Sequence, residues 1–304
     1  MISAGPMSRV SWTRRLPLVD PTVLVNTNKH QKNKSKGTMR STVSIAERLV
    51  VAADFMPDAT GREGVRKKVL ALAEELKGMG VVIKVNSILR ACGYDLIKQI
   101  HDLGLRVAAD LKLVDIRNTL ETDGALLAEE KPEFVTVMAN AAVDGMSALA
   151  SALSKTSPNT EIWGVTVLTT FGDKVSGEVF GCTANDGVLR FARLAKRAGI
   201  GSLILSPKEG KIVKADPELS ELRLNSPGIR YPWSEVKADD QVRFLPAGEA
   251  VASGIDRVIV GRPILNAGPN DDPSKPKSRR EAAEWILRDI AENLPEQQKG
   301  VVIA

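Results

Sequence analysis

The chain has 304 residues, 43% of them hydrophobic and 26% charged, an ordinary globular composition with enough apolar mass to fill a sizeable core. Two cysteines, Cys92 and Cys182, and two histidines, His30 and His101, exclude a disulfide framework and a His-rich metal site, and suit a reducing compartment such as the cytoplasm. The net charge of +5 is uneven: residues 1–40 hold eight basic side chains against Asp20 alone, which leaves the remaining body slightly acidic.

Residues 1–40 show no sustained period and read as a disordered basic N-terminal extension ahead of a single domain over 41–304. Such a segment could be a nucleic-acid arm or a transit peptide. With no aromatic-basic motif or amphipathic face, it reads instead as a solvated tail, or as sequence upstream of a start at Met7 or Met39. The longest uncharged stretch, Ile162–Gly172, is too short to span a bilayer, so no membrane partner is expected.

From Leu49 onward, short apolar runs alternate with amphipathic ones. Leu49–Ala53 reads as a strand, followed by a helix over Gly61–Gly80 with Val65, Val69, Leu72, Ala73 and Leu76 on one face. Val81–Val85 precedes a helix over Tyr94–Leu103, and Arg106–Ala109 precedes one over Ile116–Ala128. Phe134–Met138 leads to Gly145–Leu153, and Ile162–Val167 to Gly187–Ala198. Ser202–Leu205, Leu222–Asn225 and Arg257–Val260 complete eight strands. A last helix begins at the capping-box pair Ser278 and Glu281. Regular alternation of this length is the signature of a (β/α)8 TIM barrel. A doubly wound open sheet shares the periodicity, but no G-x-G-x-x-G follows the first strand.

In a barrel, chemistry gathers at the C-terminal ends of the strands. Asp54 ends the first strand, Lys84 lies near the end of the second, and the third runs into Asp110-Leu-Lys112-Leu-Val-Asp115. Strand alternation points Asp110 and Lys112 the same way and Leu111 into packing. One such pair could be a structural ion pair; five charges at one rim suggest a preset electrostatic array. At the far end, Gly261 and Arg262 follow the eighth strand, where barrels commonly bind phosphate. The long connection Ser226–Leu245, containing Arg230 and Gln241, has the length of a lid, though also of an ordinary surface excursion.

These residues together resemble the orotidine 5′-phosphate decarboxylase family. Asp110-Leu-Lys-Leu-Val-Asp-Ile-Arg-Asn-Thr119 is similar to its D-x-K-x-x-D-I-x-N-T signature. Val-Ala-Ala-Asp54, Val-Ile-Lys84-Val, Val-Thr-Val-Leu-Thr169, Ser226-Pro-Gly-Ile-Arg230, Asp-Gln241-Val-Arg and Val-Gly261-Arg262-Pro-Ile follow in the family's order. The resemblance covers about residues 45–295. It implies a homodimeric barrel that converts orotidine 5′-monophosphate to UMP and CO2 in pyrimidine synthesis, with no metal and no organic cofactor. It also implies roles. Lys112 would protonate C6, Asp110 would lie against the substrate carboxylate, and Lys84 would join the array to a ribose hydroxyl. Asp54 would bind ribose hydroxyls, and Thr169 would touch the pyrimidine edge. Gln241, Arg230, Gly261 and Arg262 would surround the phosphate. Asp115 and Thr119 would reach into the neighbouring subunit, so that active sites are shared across the interface.

The chain departs from the family where Arg117 replaces a frequent Pro and Met138-Ala-Asn-Ala-Ala-Val143 replaces a His-Ala-Gly-Gly-like run. The extension and the Asn266–Lys277 loop look like additions. Hexulose-6-phosphate synthase and ketogulonate-phosphate decarboxylase are the rival enzymes; they share Asp-x-Lys-x-x-Asp but use Mg2+ and lack the Ile116-x-Asn-Thr119 continuation. A nucleic-acid-binding protein using the barrel as a scaffold is the rival from another class.

Overall fold

A computed structural model describes residues 43–234 and 245–295. The expectations placed on residues 1–40 and on Gln241 lie outside these residues. Eight parallel strands close into a barrel in sequence order: β1 Leu49–Ala52, β2 Val82–Val85, β3 Arg106–Leu113, β4 Phe134–Met138, β5 Glu161–Val165, β6 Ser202–Ile204, β7 Arg223–Ser226 and β8 Arg257–Val260. β8 pairs back onto β1, with Val50 opposite Ile259. The (β/α)8 expectation holds, and the open sheet is excluded by that closure.

Alternation along each strand divides the core in two. Val50, Ala52, Val82, Ala108, Phe134, Trp163, Val165, Ile204 and Ile259 fill the interior. The residues that alternate with them, such as Val51, Ile83, Val107, Val135 and Val258, pack outward against the helices. Both faces of every strand are therefore buried, which is why the strands read as continuous apolar runs.

The helices are α1 Gly61–Glu75, α2 Ser87–Cys92, α3 Asp95–Asp102, α4 Arg117–Glu130, α5 Ala142–Thr156, α6 Asp173–Phe180, α7 Ala184–Arg197, α8 Gly210–Ala215, α9 Ala247–Ala252, α10 Arg262–Leu265 and α11 Arg279–Asn293. α1 ends before the expected Gly80 because Gly78 and Gly80 adopt φ of +78° and +69°, left-handed values that stop a helix. α7 begins earlier than expected because the Thr183 hydroxyl caps it, accepting from the Asp186 N–H. At α11, Ser278 accepts the Glu281 N–H as expected, but the Glu281 carboxylate accepts from Lys277 N–H rather than from the cap residue itself. Among the described residues, no helix is long and apolar enough to cross a membrane.

Candidate active site

Parity places the site. Lys84 lies two residues beyond Val82 on β2, and Asp110 two beyond Ala108 on β3, so both side chains continue interior rows whose lower members are apolar. Asp54 follows the same parity just past the end of β1. All three therefore meet at the C-terminal mouth of the barrel.

There they form a continuous chain of charge. The Lys84 ammonium lies 3.0 Å from Asp54 Oδ1 and 2.9 Å from Asp110 Oδ2. The Lys112 ammonium lies 2.8 Å from each oxygen of Asp110. The middle of the chain is buried, with side-chain exposure of 6% for Lys84 and 4% for Asp110, whereas its ends, Asp54 at 45% and Lys112 at 39%, face the mouth.

Burial opposes both inner charges, and their partners decide the outcome. For Lys84, burial favours the neutral amine, but Asp110 and Asp54 outweigh it and lift the pKa above the ordinary lysine value. For Asp110, burial favours protonation, but Lys84 and Lys112 outweigh it and hold the carboxyl well below the usual carboxylate range. The buried inner pair, Lys84 and Asp110, is thus held in its charged state before any substrate arrives.

Asp110 and Lys112 meet through a device that simple alternation did not foresee. β3 carries a register shift between Ala109 and Leu113, and Lys112 has φ of +48°, a left-handed value that is costly for a side-chain-bearing residue. Leu111 packs outward at 1% exposure, as expected. Two residues that sequence reasoning missed hold this bulge. The Thr136 hydroxyl on β4 contacts both the Lys112 N–H and Asp110, and the Arg90 guanidinium at the end of α2 donates to the Leu111 carbonyl. Neither had a sequence signal, because each is defined by a neighbour more than twenty positions away.

Asp115 does not join this array within the chain. Its carboxylate accepts from the Ile116 N–H at 2.7 Å, and the whole stretch from Val114 to Thr119 is exposed. Of the five charges expected to gather at one rim, four therefore meet within the chain, and Asp115 stands apart from them. The strand ends at Leu113, and the following turn carries Asp115 out onto the surface.

The remaining candidates among the described residues, Thr169, Arg230, Gly261 and Arg262, follow the C-terminal ends of their strands. Thr169 is buried in the turn after β5, and Arg230 is buried after β7, with its guanidinium donating to the Ile229 carbonyl at 2.8 Å. Gly261 and Arg262 follow β8, which pairs with β7. A Cβ on Gly261 would meet Ala52 at 3.8 Å, ordinary contact, so it is backbone exposure rather than crowding that a glycine offers here. Half-buried Arg262 borders a pocket shared with Trp233 and the Asn266–Lys277 loop.

The family model for orotidine 5′-phosphate decarboxylase / HUMPS matches residues 47–274. The chain is 31% identical over 232 residues to the orotidine 5′-phosphate decarboxylase of Syntrophomonas wolfei, covering 73% of this chain and 92% of that one. It is 33% identical over 259 residues to the enzyme of the same name from Syntrophus aciditrophicus, covering 82% and 94%. A crystal structure of orotidine 5′-phosphate decarboxylase from Lactobacillus acidophilus superposes with a TM-score of 0.64 at 25% identity, covering 80% of this chain and 99% of that one. With three quarters of its length inside the family model and the charge array at the barrel mouth, the chain belongs to the orotidine 5′-phosphate decarboxylase / HUMPS family.

Proposed function

We propose that the chain is an orotidine 5′-monophosphate decarboxylase, a carboxy-lyase that forms UMP and CO2 in pyrimidine biosynthesis in the cytoplasm. The observation that carries this reading is the Asp54–Lys84–Asp110–Lys112 chain at the barrel mouth, continued in sequence by Ile116-x-Asn118-Thr119. The relatives matched over most of their length bear that enzyme's name.

The chemistry follows from fixed charge. When the bond between C6 and the carboxylate carbon breaks, CO2 leaves and an electron pair remains at C6 with no conjugated sink. A cation already held at that carbon is the main help available. Lys112 supplies it and then transfers its proton to C6, becoming a neutral amine that solvent reprotonates. Asp110 lies against the departing carboxylate; repulsion between the two is relieved as neutral CO2 forms, so the array favours the transition state over the bound substrate. Lys84 keeps Asp110 ionised and, with Asp54, takes the ribose hydroxyls. Thr169 touches the pyrimidine edge. Arg230, Gln241, Arg262 and the Gly261 backbone hold the phosphate, whose binding energy orders the site from a distance.

Asp115 and Thr119 act in the partner subunit of a homodimer. Their exposure supports this, as do the flanking apolar side chains: Val114 is 54% exposed and Ile116 71%, surface that a second copy would cover. No metal takes part in this scheme. The test is the absorbance decrease of orotidine 5′-monophosphate on adding purified protein, with and without EDTA. Turnover unchanged by chelator is expected. Turnover lost on chelation, or absent with this substrate while a hexulose or ketogulonate phosphate reacts, would favour the Mg2+-dependent relatives.

A further inference from the structure

Thr136 occupies the middle of β4 with no exposed surface. Ala109 pairs with Val135 and Leu113 with Val137, so Asp110, Leu111 and Lys112 all stand opposite Thr136 alone. In a regular parallel ladder the Lys112 N–H would meet a backbone carbonyl. Here it donates to Thr136 Oγ1 at 2.8 Å, while the same hydroxyl donates to Asp110 Oδ1 at 3.0 Å. The proton's direction is settled by its neighbours: an amide N–H only donates and an ionised carboxylate only accepts. One hydroxyl therefore ties the left-handed backbone of Lys112 to the carboxylate that its own ammonium grips.

We propose that Thr136 is a positioning residue for the decarboxylation, its hydroxyl holding the β3 bulge so that the Lys112 ammonium stays over Asp110 and in line with C6. A positive φ at a lysine is strained and persists only where the surroundings enforce it. Thr136 is the enforcing group on the β4 side, and Arg90 the one on the α2 side. Without the hydroxyl, a buried N–H and a carboxylate oxygen both lose a partner. The bulge can then relax and carry the ammonium away. Arg230 lies in the connection after β7 and Arg262 opens α10 after β8, both away from β3 and β4, so phosphate binding does not depend on this clamp.

This inference rests on the decarboxylase reading, and the test separates the two. Steady-state kinetics on orotidine 5′-monophosphate are measured for the parent, Thr136→Val and Thr136→Ser, with amide hydrogen exchange at Lys112. Valine keeps the shape and removes the hydroxyl, while serine keeps the hydroxyl and removes the methyl. Valine is expected to lower kcat roughly 10- to 100-fold, as misplacement by about an ångström does, with KM within about threefold. Serine is expected to restore kcat to within about threefold of the parent, on that same scale. Lys112 amide exchange should be slow in the parent and serine forms and faster in the valine form. Thr136→Ala provides the same deletion if valine does not fold. A hydroxyl-free variant with parental kcat, a serine form as slow as the valine form, or kcat and KM losses of equal size would overturn the proposal. If the parent does not decarboxylate this substrate, the functional reading fails, and the exchange rates alone decide whether Thr136 clamps the bulge; equal exchange in all forms rejects it.

Discussion

The two ends of the barrel both carry buried charge, and they use it differently. At the N-terminal end, Arg257 is 1% exposed and is saturated on every side. It bonds Glu47 at 2.5 Å, Glu161 at 3.0 Å and Asn225 at 3.3 Å. Its guanidinium carbon also sits 4.8 Å from the centre of the Phe134 ring, which stacks on Trp163. Arg106 and Arg223 take the outer sides of the same two glutamates. Arg257 at the centre of this plug is enclosed by protein groups, and of its flanking charges Arg106 is the half-exposed one, at 43%. At the C-terminal end, the chain of charge has two half-exposed ends, Asp54 and Lys112, each with one named partner and each open to the mouth. Buried charge as such therefore does not mark a site. What distinguishes the mouth is a pair of opposite charges, Asp54 and Lys112, left half-exposed at the two ends of one buried chain, where a substrate can take them up.

Variants that strip one end should leave the function of the other intact. The largest effect on stability is expected from Arg257→Met, which leaves Glu47 and Glu161 facing each other without their shared cation. Removing one partner of a buried ion network costs about 3–5 kcal/mol, on the order of 10 °C in Tm for a domain of this size. Turnover per folded molecule should stay at the parental level. A stable Arg257→Met protein, or one with intact stability and lost activity, would erase the distinction between the two ends.

Arg262→Ala should act at the mouth and on binding alone. We expect kcat/KM for the phosphorylated substrate to fall roughly 10- to 100-fold, with Tm unchanged and residual activity on the unphosphorylated nucleoside unaffected. Equal losses on both substrates would contradict a phosphate role.

The smallest effect expected is in acid. Burial favours protonation of Glu161, but Arg257 and its other partners outweigh it and hold the carboxyl below the ordinary value of 4.5. A depressed carboxylate pKa adds stability that is present above the ordinary value and is lost as pH falls through the folded one. Asp110 follows the same sign at the other end. Lys84, lifted above 10.5, contributes stability that is present below that value and is lost only as pH rises through its folded pKa. Thermal unfolding followed from neutral pH down to about pH 3 should show stability falling below the ordinary glutamate range. That acid-dependent part should shrink in Arg257→Met, where Glu161 no longer has its cation. An unchanged acid slope would mean that the plug does not set it.

The strands were legible because burial on both faces leaves uninterrupted apolar runs such as Leu49–Ala53, bounded by the charges of Arg48 and Asp54. Asp110 and Lys112 were legible because charge interrupts such a run. The short helices α2, α8, α9 and α10 were not, since four to six residues make less than two turns and give no period to read. The bulge was invisible because nothing in Leu111-Lys112-Leu113 requires a left-handed residue; the requirement comes from Thr136, across the ladder. The plug at the N-terminal end escaped for the same reason on a larger scale. Glu47 and Arg257 are 210 positions apart, and only closure of the barrel brings them together.

The central claim is that the charges at the mouth serve the reaction rather than the fold, and Lys112→Ala tests it most directly. Asp110 keeps Lys84 and Thr136 as partners in this variant, so the fold has no orphaned buried charge to accommodate. Decarboxylation of orotidine 5′-monophosphate should fall by roughly 10³-fold or more, with Tm within a few degrees of the parent. A folded Lys112→Ala protein that turns over at near the parental rate would contradict the claim.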